Sequence, residues 1–94
     1  MGLNKNQARA VLSSVIVKME DSRRLQLHLS KQLDEIGLKI ERAERHLIFY
    51  PDYPTDELKL LQAEFRRVHA RKSRADATWN LAWRKYHALN NFIE

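Results

Sequence analysis

The sequence predicts an all-α fold, a long antiparallel helical hairpin of coiled-coil type. Three observations carry that prediction. Apolar residues recur at alternating spacings of four and three along two long arms. Both prolines of the chain, Pro51 and Pro54, fall in one short stretch between those arms. With two glycines, two prolines and 31% charged residues, the composition is that of a helical protein and not of a β-sandwich or a disordered tail.

The first arm is expected over about residues 5–49. Asn4 followed by Gln7 reads as a capping-box-like start, each side chain reaching the other's backbone N–H. From there Ala8, Leu12, Val15, Met19, Ser22, Gln26, Leu29, Leu33, Ile36, Ile40, Ala43 and Leu47 form a heptad seam. Ser22 and Gln26 interrupt it and need polar partners if they are buried. Gly37 disfavours helix by about 1 kcal/mol relative to alanine, and Val15-Ile16-Val17 is rich in β-branching. A break near Ser22 or Gly37 would convert the hairpin into a three-helix arrangement.

The turn covers residues 50–55, Tyr50-Pro51-Asp52-Tyr53-Pro54-Thr55. Each proline lacks a backbone donor and restricts the residue before it, so one helix stops at the turn and the next starts after Pro54. Thr55 suits an N-cap, and Asp56 and Glu57 place negative charge where the helix dipole favours it. The second arm is expected over about residues 56–92, with the seam Leu58, Leu61, Phe65, Val68, Lys72, Ala75, Trp79, Ala82, Tyr86, Leu89 and Ile93. A short connection makes the arms antiparallel neighbours, so facing residue numbers sum to roughly 105. In that register Leu47 faces Leu58, Ile40 faces Phe65, and Gln26 is placed to accept the indole N–H of Trp79. Arg23 then lies opposite Trp83, at cation–π reach.

Several apolar residues fall outside the seams. On the first arm they are Val11, Ile16, Val17, Leu25, Leu27, Leu38, Ile48 and Phe49. A lone hairpin cannot cover all of them, which points to self-association, a homodimer for example, or to docking on another protein. The second arm has a back stripe that includes Ala63, Ala70, Ala77 and Ala88 beside Arg67, Arg74 and Arg84. It suits close approach of another helix, or simply reflects alanine's helix propensity on a solvated face.

Enzyme signatures do not emerge, so no catalysis, cofactor or small-molecule substrate is expected. His28, His46, His69 and His87 are scattered without His-Glu-x-x-His or Glu-x-x-His spacing, and there is no cysteine. Asp34 and Glu35 are adjacent and so point to different sides of a helix. No apolar run has membrane-spanning length, and the start Met1-Gly2-Leu3-Asn4-Lys5 lacks the plan of a signal peptide, so a cytoplasmic protein is expected.

Two features mark surfaces for binding. Phe49, Tyr50, Pro51, Tyr53 and Pro54 make an unusually apolar turn, and Trp83 sits at the edge of the seam. With Arg67 and Arg74 they supply the aromatic and arginine anchors that dominate protein interfaces. Phe49 and Tyr53 have a plain structural use as well, as a plug over the bundle end. The second feature is the basic run Arg66, Arg67, Arg71, Lys72 and Arg74, which has no acid within it and contributes to a net charge of +5. Asp34, Glu35 and Glu41, on the facing stretch, are placed to neutralise part of it.

The resulting expectation is a non-catalytic module that docks on a protein surface and occludes or holds it. A chain of 94 residues with two basic amphipathic arms and the turn Tyr50-Pro51-Asp52-Tyr53-Pro54 resembles the small anti-RecBCD proteins of lambdoid phages. The resemblance implies binding to the host RecBCD helicase–nuclease and a change in its exonuclease behaviour, and it assigns no role to any single residue. The alternative is a nucleic-acid-binding dimer similar in plan to the plasmid RNA-binding hairpin Rop, with the basic run on phosphates. A structural oligomer is the third reading.

Overall fold

The computed structural model describes residue 2 and residues 4–94; Met1 and Leu3, in the opening stretch read above for a signal peptide, lie outside the described residues. The chain is an all-α helical hairpin of two helices, α1 (Lys5–Phe49) and α2 (Asp56–Ile93). Helix α1 starts where the capping box places it. The Asn4 N–H donates to Gln7 Oε1 at 3.0 Å and the Gln7 N–H donates to Asn4 Oδ1 at 2.8 Å. Two N–H groups that the first turn cannot use are thereby satisfied reciprocally.

Helix α1 runs unbroken through Ser22 and Gly37, so the arrangement has two helices and not three. Ser22 is buried, and its hydroxyl donates to the Lys18 carbonyl at 2.7 Å, so the polar seam position is satisfied within its own helix. Gly37 keeps helical backbone, and a Cβ added there would meet nothing within 4 Å. Gly37→Ala is therefore expected to raise stability by about 0.5–1 kcal/mol, because it restricts the unfolded chain without straining the folded one. Chemical denaturation checks this, and an unchanged or lower midpoint would contradict it.

The turn works through its missing donors. The Tyr50 N–H makes the last helical bond of α1, to the His46 carbonyl at 2.9 Å, and Pro51 offers no N–H to extend it. The Tyr53 N–H closes the turn on the Tyr50 carbonyl at 3.0 Å. After Pro54, the Thr55 carbonyl accepts the Lys59 N–H at 3.0 Å, and Asp56 and Glu57 occupy the first turn of α2.

Chain packing divides into two units, Met1–Gln26 with Arg74–Glu94, and Leu27–Ser73. In the first unit Ala8, Val15, Ser22 and Gln26 of α1 and Ala75 and Ala82 of α2 are buried. Leu12, Met19, Trp79, Tyr86, Leu89 and Ile93 are half-buried beside them. In the second unit Leu29, Ile36 and Val68 are buried, with Leu33, Ile40, Ala43, Leu47, Leu58, Leu61, Phe65 and Lys72 half-buried. Every seam position read from the spacing lies on the packed side, because a 3.5-residue period keeps one stripe of a helix turned towards its partner.

The cross-helix partners differ from the constant-sum register in part. Leu47 and Leu58 border one groove, as expected. Gln26, however, does not accept the Trp79 indole. Its Nε2 donates to Asp76 Oδ1 at 2.7 Å, about one turn earlier on α2. An amide N–H donating to a carboxylate is a charge-assisted bond, and the Gln26 Oε1 that the indole would have met is buried without a hydrogen-bond partner. Arg23 likewise borders a groove with Met19 and Trp79, whereas the ring partners of Trp83 are Trp79 and His87.

Candidate functional site

The aromatic turn belongs to the second unit. His46, in the last turn of α1, holds two rings: Tyr50, centroids 4.8 Å apart, and Tyr53, edge-on at 4.4 Å. The imidazole reaches Tyr50 because residues four apart share a helix face, and it reaches Tyr53 because the turn folds back. Tyr53 is thus partly used as a plug. Phe49 is not, being 78% exposed, and Tyr50, Pro51 and Pro54 are exposed beside it. Beside the turn lies an open groove of about 500 Å³ with Ala43, Leu47, Leu58 and Leu61 on its walls and Lys39, Arg42 and His46 among its polar groups.

The tryptophans belong to the first unit. Trp79 and Trp83 stack with centroids 6.4 Å apart, Trp83 lies 4.1 Å from the His87 ring, and Tyr86 meets His87 edge-on at 5.3 Å. Trp79 and Tyr86 are half-buried seam residues, while Trp83 and His87 are exposed. An exposed indole fixed between two rings gives up little conformational entropy when a partner covers it.

In the second unit Arg66, Arg67 and Arg71 are exposed and Lys72 is half-buried; Arg74, in the first unit, is exposed. Among the described residues none of these four arginines makes an ion pair; Glu41 pairs instead with Arg45 one turn along its own helix. The neutralisation expected from the facing acids does not occur through Glu41, because an i,i+4 neighbour is always within reach.

All eight large apolar residues of α1 that lie outside the seam are exposed, as are Leu60, Leu81 and Phe92 on α2. Comparison with family models, with curated proteins and with solved structures found no match. The candidate site is therefore defined by its own geometry alone. Among the described residues no three His, Asp or Glu side chains converge as metal ligands, and no helix is long and apolar enough to cross a membrane. Each histidine that touches another ring sits against an aromatic on its own helix or in the turn: His46, His69 and His87.

Two features escape the seam pattern. Asp76 lies beside the seam, so spacing alone gives it no role. In the first unit a groove forms between Val11 and Lys18 of α1 and Leu81 and Lys85 of α2, along a flank of both helices. Its trace in the sequence is a second, weaker heptad next to the seam, Val11, Lys18 and Leu25 on one helix and Thr78, Lys85 and Phe92 on the other.

Proposed function

We propose that this protein is a non-catalytic helical docking module that binds another protein in the cytoplasm and occludes or holds a surface of it. One observation carries the reading. Among the described residues fourteen large hydrophobic side chains are exposed, while only seven hydrophobic residues are buried and three of those are alanines. So many exposed large side chains beside so small a core favour coverage by a partner, within each packing unit. In the second unit Phe49, Tyr50 and Tyr53 are the aromatic anchors, Pro51 and Pro54 stiffen the turn and Arg67 supplies a polar contact; in the first unit Trp83 is the anchor and Arg74 the polar contact.

The first partner to test is the one implied by the resemblance, the host RecBCD helicase–nuclease. Purified RecBCD is expected to bind the chain and to change its exonuclease rate. Phe49→Ala and Trp83→Ala are each expected to weaken the complex about tenfold, the loss typical of a truncated aromatic anchor. Fluorescence anisotropy measures both. Absence of a complex would remove RecBCD as the partner.

Arg66, Arg67 and Arg71, which make no ion pair among the described residues, support a second reading, nucleic-acid binding through a Rop-like dimer, with Lys72 and Arg74 also in the basic run. Substituting Arg67, Arg71 and Arg74 together by alanine separates the two. Loss of RNA or DNA binding with protein binding intact would favour the second reading.

A further inference from the structure

The groove of the first unit has an apolar floor and a basic rim. Val15 and Ala82 are buried at its base, Val11 and Leu81 line its walls at 41% and 54% exposure, and Lys18 and Lys85 stand at its edges; its volume is about 380 Å³. Leu25 lies one heptad beyond Lys18 on α1, and Phe92 one heptad beyond Lys85 on α2, and both are exposed. Along each helix the flank thus alternates between apolar side chains and lysine. A cleft between two antiparallel helices with this pattern is the seat of a third helix, whose own apolar stripe fills it.

Charge selects the occupant. No Asp or Glu borders the groove, and among the described residues neither Lys18 nor Lys85 has a carboxylate at ion-pair distance. The unit holds eight Lys and Arg residues against four Asp and Glu. Of those acids Glu20 and Asp21 lie 3.9 and 3.6 Å from Arg24, and Asp76 accepts from Gln26. A second copy packed groove to groove would bring lysines onto lysines, an arrangement that is repulsive. A phosphate backbone would leave the apolar floor without a partner. Thr78 donates its hydroxyl to the Arg74 carbonyl at 3.0 Å, so the polar groups the groove offers a partner are the Ser14 hydroxyl and the two ammonium groups, of which only the latter carry charge.

We infer that this groove takes an acidic amphipathic helix of another protein, its apolar stripe on Val11, Val15, Leu81 and Ala82 and its carboxylates on Lys18 and Lys85. The inference rests on the docking function proposed above and gives the partner segment its chemistry.

The test is calorimetric titration of the full chain with a helical peptide of about three heptads, leucine at its seam positions and glutamate on both flanks. A twin with glutamine for every glutamate, a twin with lysine, and a DNA duplex are the comparisons. The glutamate peptide is expected to bind one to one, at least about fivefold more tightly than the glutamine twin at low salt, with the difference shrinking as salt rises. In the Lys18→Glu/Lys85→Glu variant the order is expected to reverse, so that the lysine twin binds best. Leu81→Asp is expected to abolish binding of every peptide. All three replaced side chains are exposed, and unchanged helical circular dichroism verifies the fold.

Equal binding of the glutamate and glutamine peptides would overturn the inference. So would no binding of either, self-association that Leu81→Asp abolishes, or binding of the duplex that the two lysines govern. A native protein partner whose affinity is unmoved by Lys18→Glu/Lys85→Glu would also overturn it, and would leave the docking function standing.

Discussion

Leu29→Ala is expected to lower the free energy of unfolding by about 2–5 kcal/mol, the largest effect of any single truncation in the seam. Leu29 is 0% exposed and is the bulkiest fully buried side chain among the described residues. Removing it forfeits the transfer energy of the lost carbons and leaves a cavity between two helices that cannot collapse freely. For a chain of this size each kcal/mol moves the midpoint by roughly 4–8 °C, so the variant is expected to melt at least about 8 °C lower. Leu27→Ala is the control. Leu27 lies two residues away at 56% exposure, and its truncation is expected to stay within about 0.5 kcal/mol. Similar losses for the two would contradict the assignment of the packed stripe. If Leu29→Ala fails to fold, Leu29→Met, expected to lose less than about 1.5 kcal/mol, preserves the comparison.

Asp76→Ala is expected to lose about 1–3 kcal/mol, because it strands the buried Gln26 amide whose Nε2 donates to Asp76 Oδ1 at 2.7 Å. Gln26 Oε1 is already buried without a hydrogen-bond partner, so this residue has no second bond to fall back on. Replacing both partners changes the outcome. The double variant Gln26→Leu/Asp76→Ala removes the stranded donor and the orphan acceptor together and is expected to recover the part of the loss that comes from stranding Gln26. A double-mutant cycle reads the coupling, expected between about 0.5 and 3 kcal/mol. Strict additivity would show that the bond contributes nothing to the fold.

These two residues also mark how far the sequence can be read. Leu29 is legible, since it is one of twelve first-arm positions whose spacing keeps them on one stripe, and periodicity is a local property of the chain. The Asn4–Gln7 cap and the prolyl turn are legible for the same reason, each being decided by neighbours a few residues apart. The partner of Gln26 is not. It depends on the axial offset between α1 and α2, which a constant-sum rule sets only to within about a turn and which brings Asp76 to the Gln26 Nε2 while leaving its Oε1 without a partner. The flank groove is harder still, because Lys18 and Lys85 acquire meaning only when two helices bring their second heptads side by side. Exposure of Phe49 and Trp83 follows from spacing, whereas the rings that hold Trp83 and Tyr53 follow from folding.

The docking function is tested most directly by capture of the tagged chain from the lysate of its natural host, treated with nuclease and washed at rising salt. Mass spectrometry identifies what is retained, and light scattering on the purified chain reads self-association. The expected result is a protein held in fixed stoichiometry through both treatments and released by Phe49→Ala together with Trp83→Ala. Retention of no protein, with nucleic acid co-purifying only when nuclease is omitted and shed at moderate salt, would contradict docking and transfer the function to the basic run from Arg66 to Arg74.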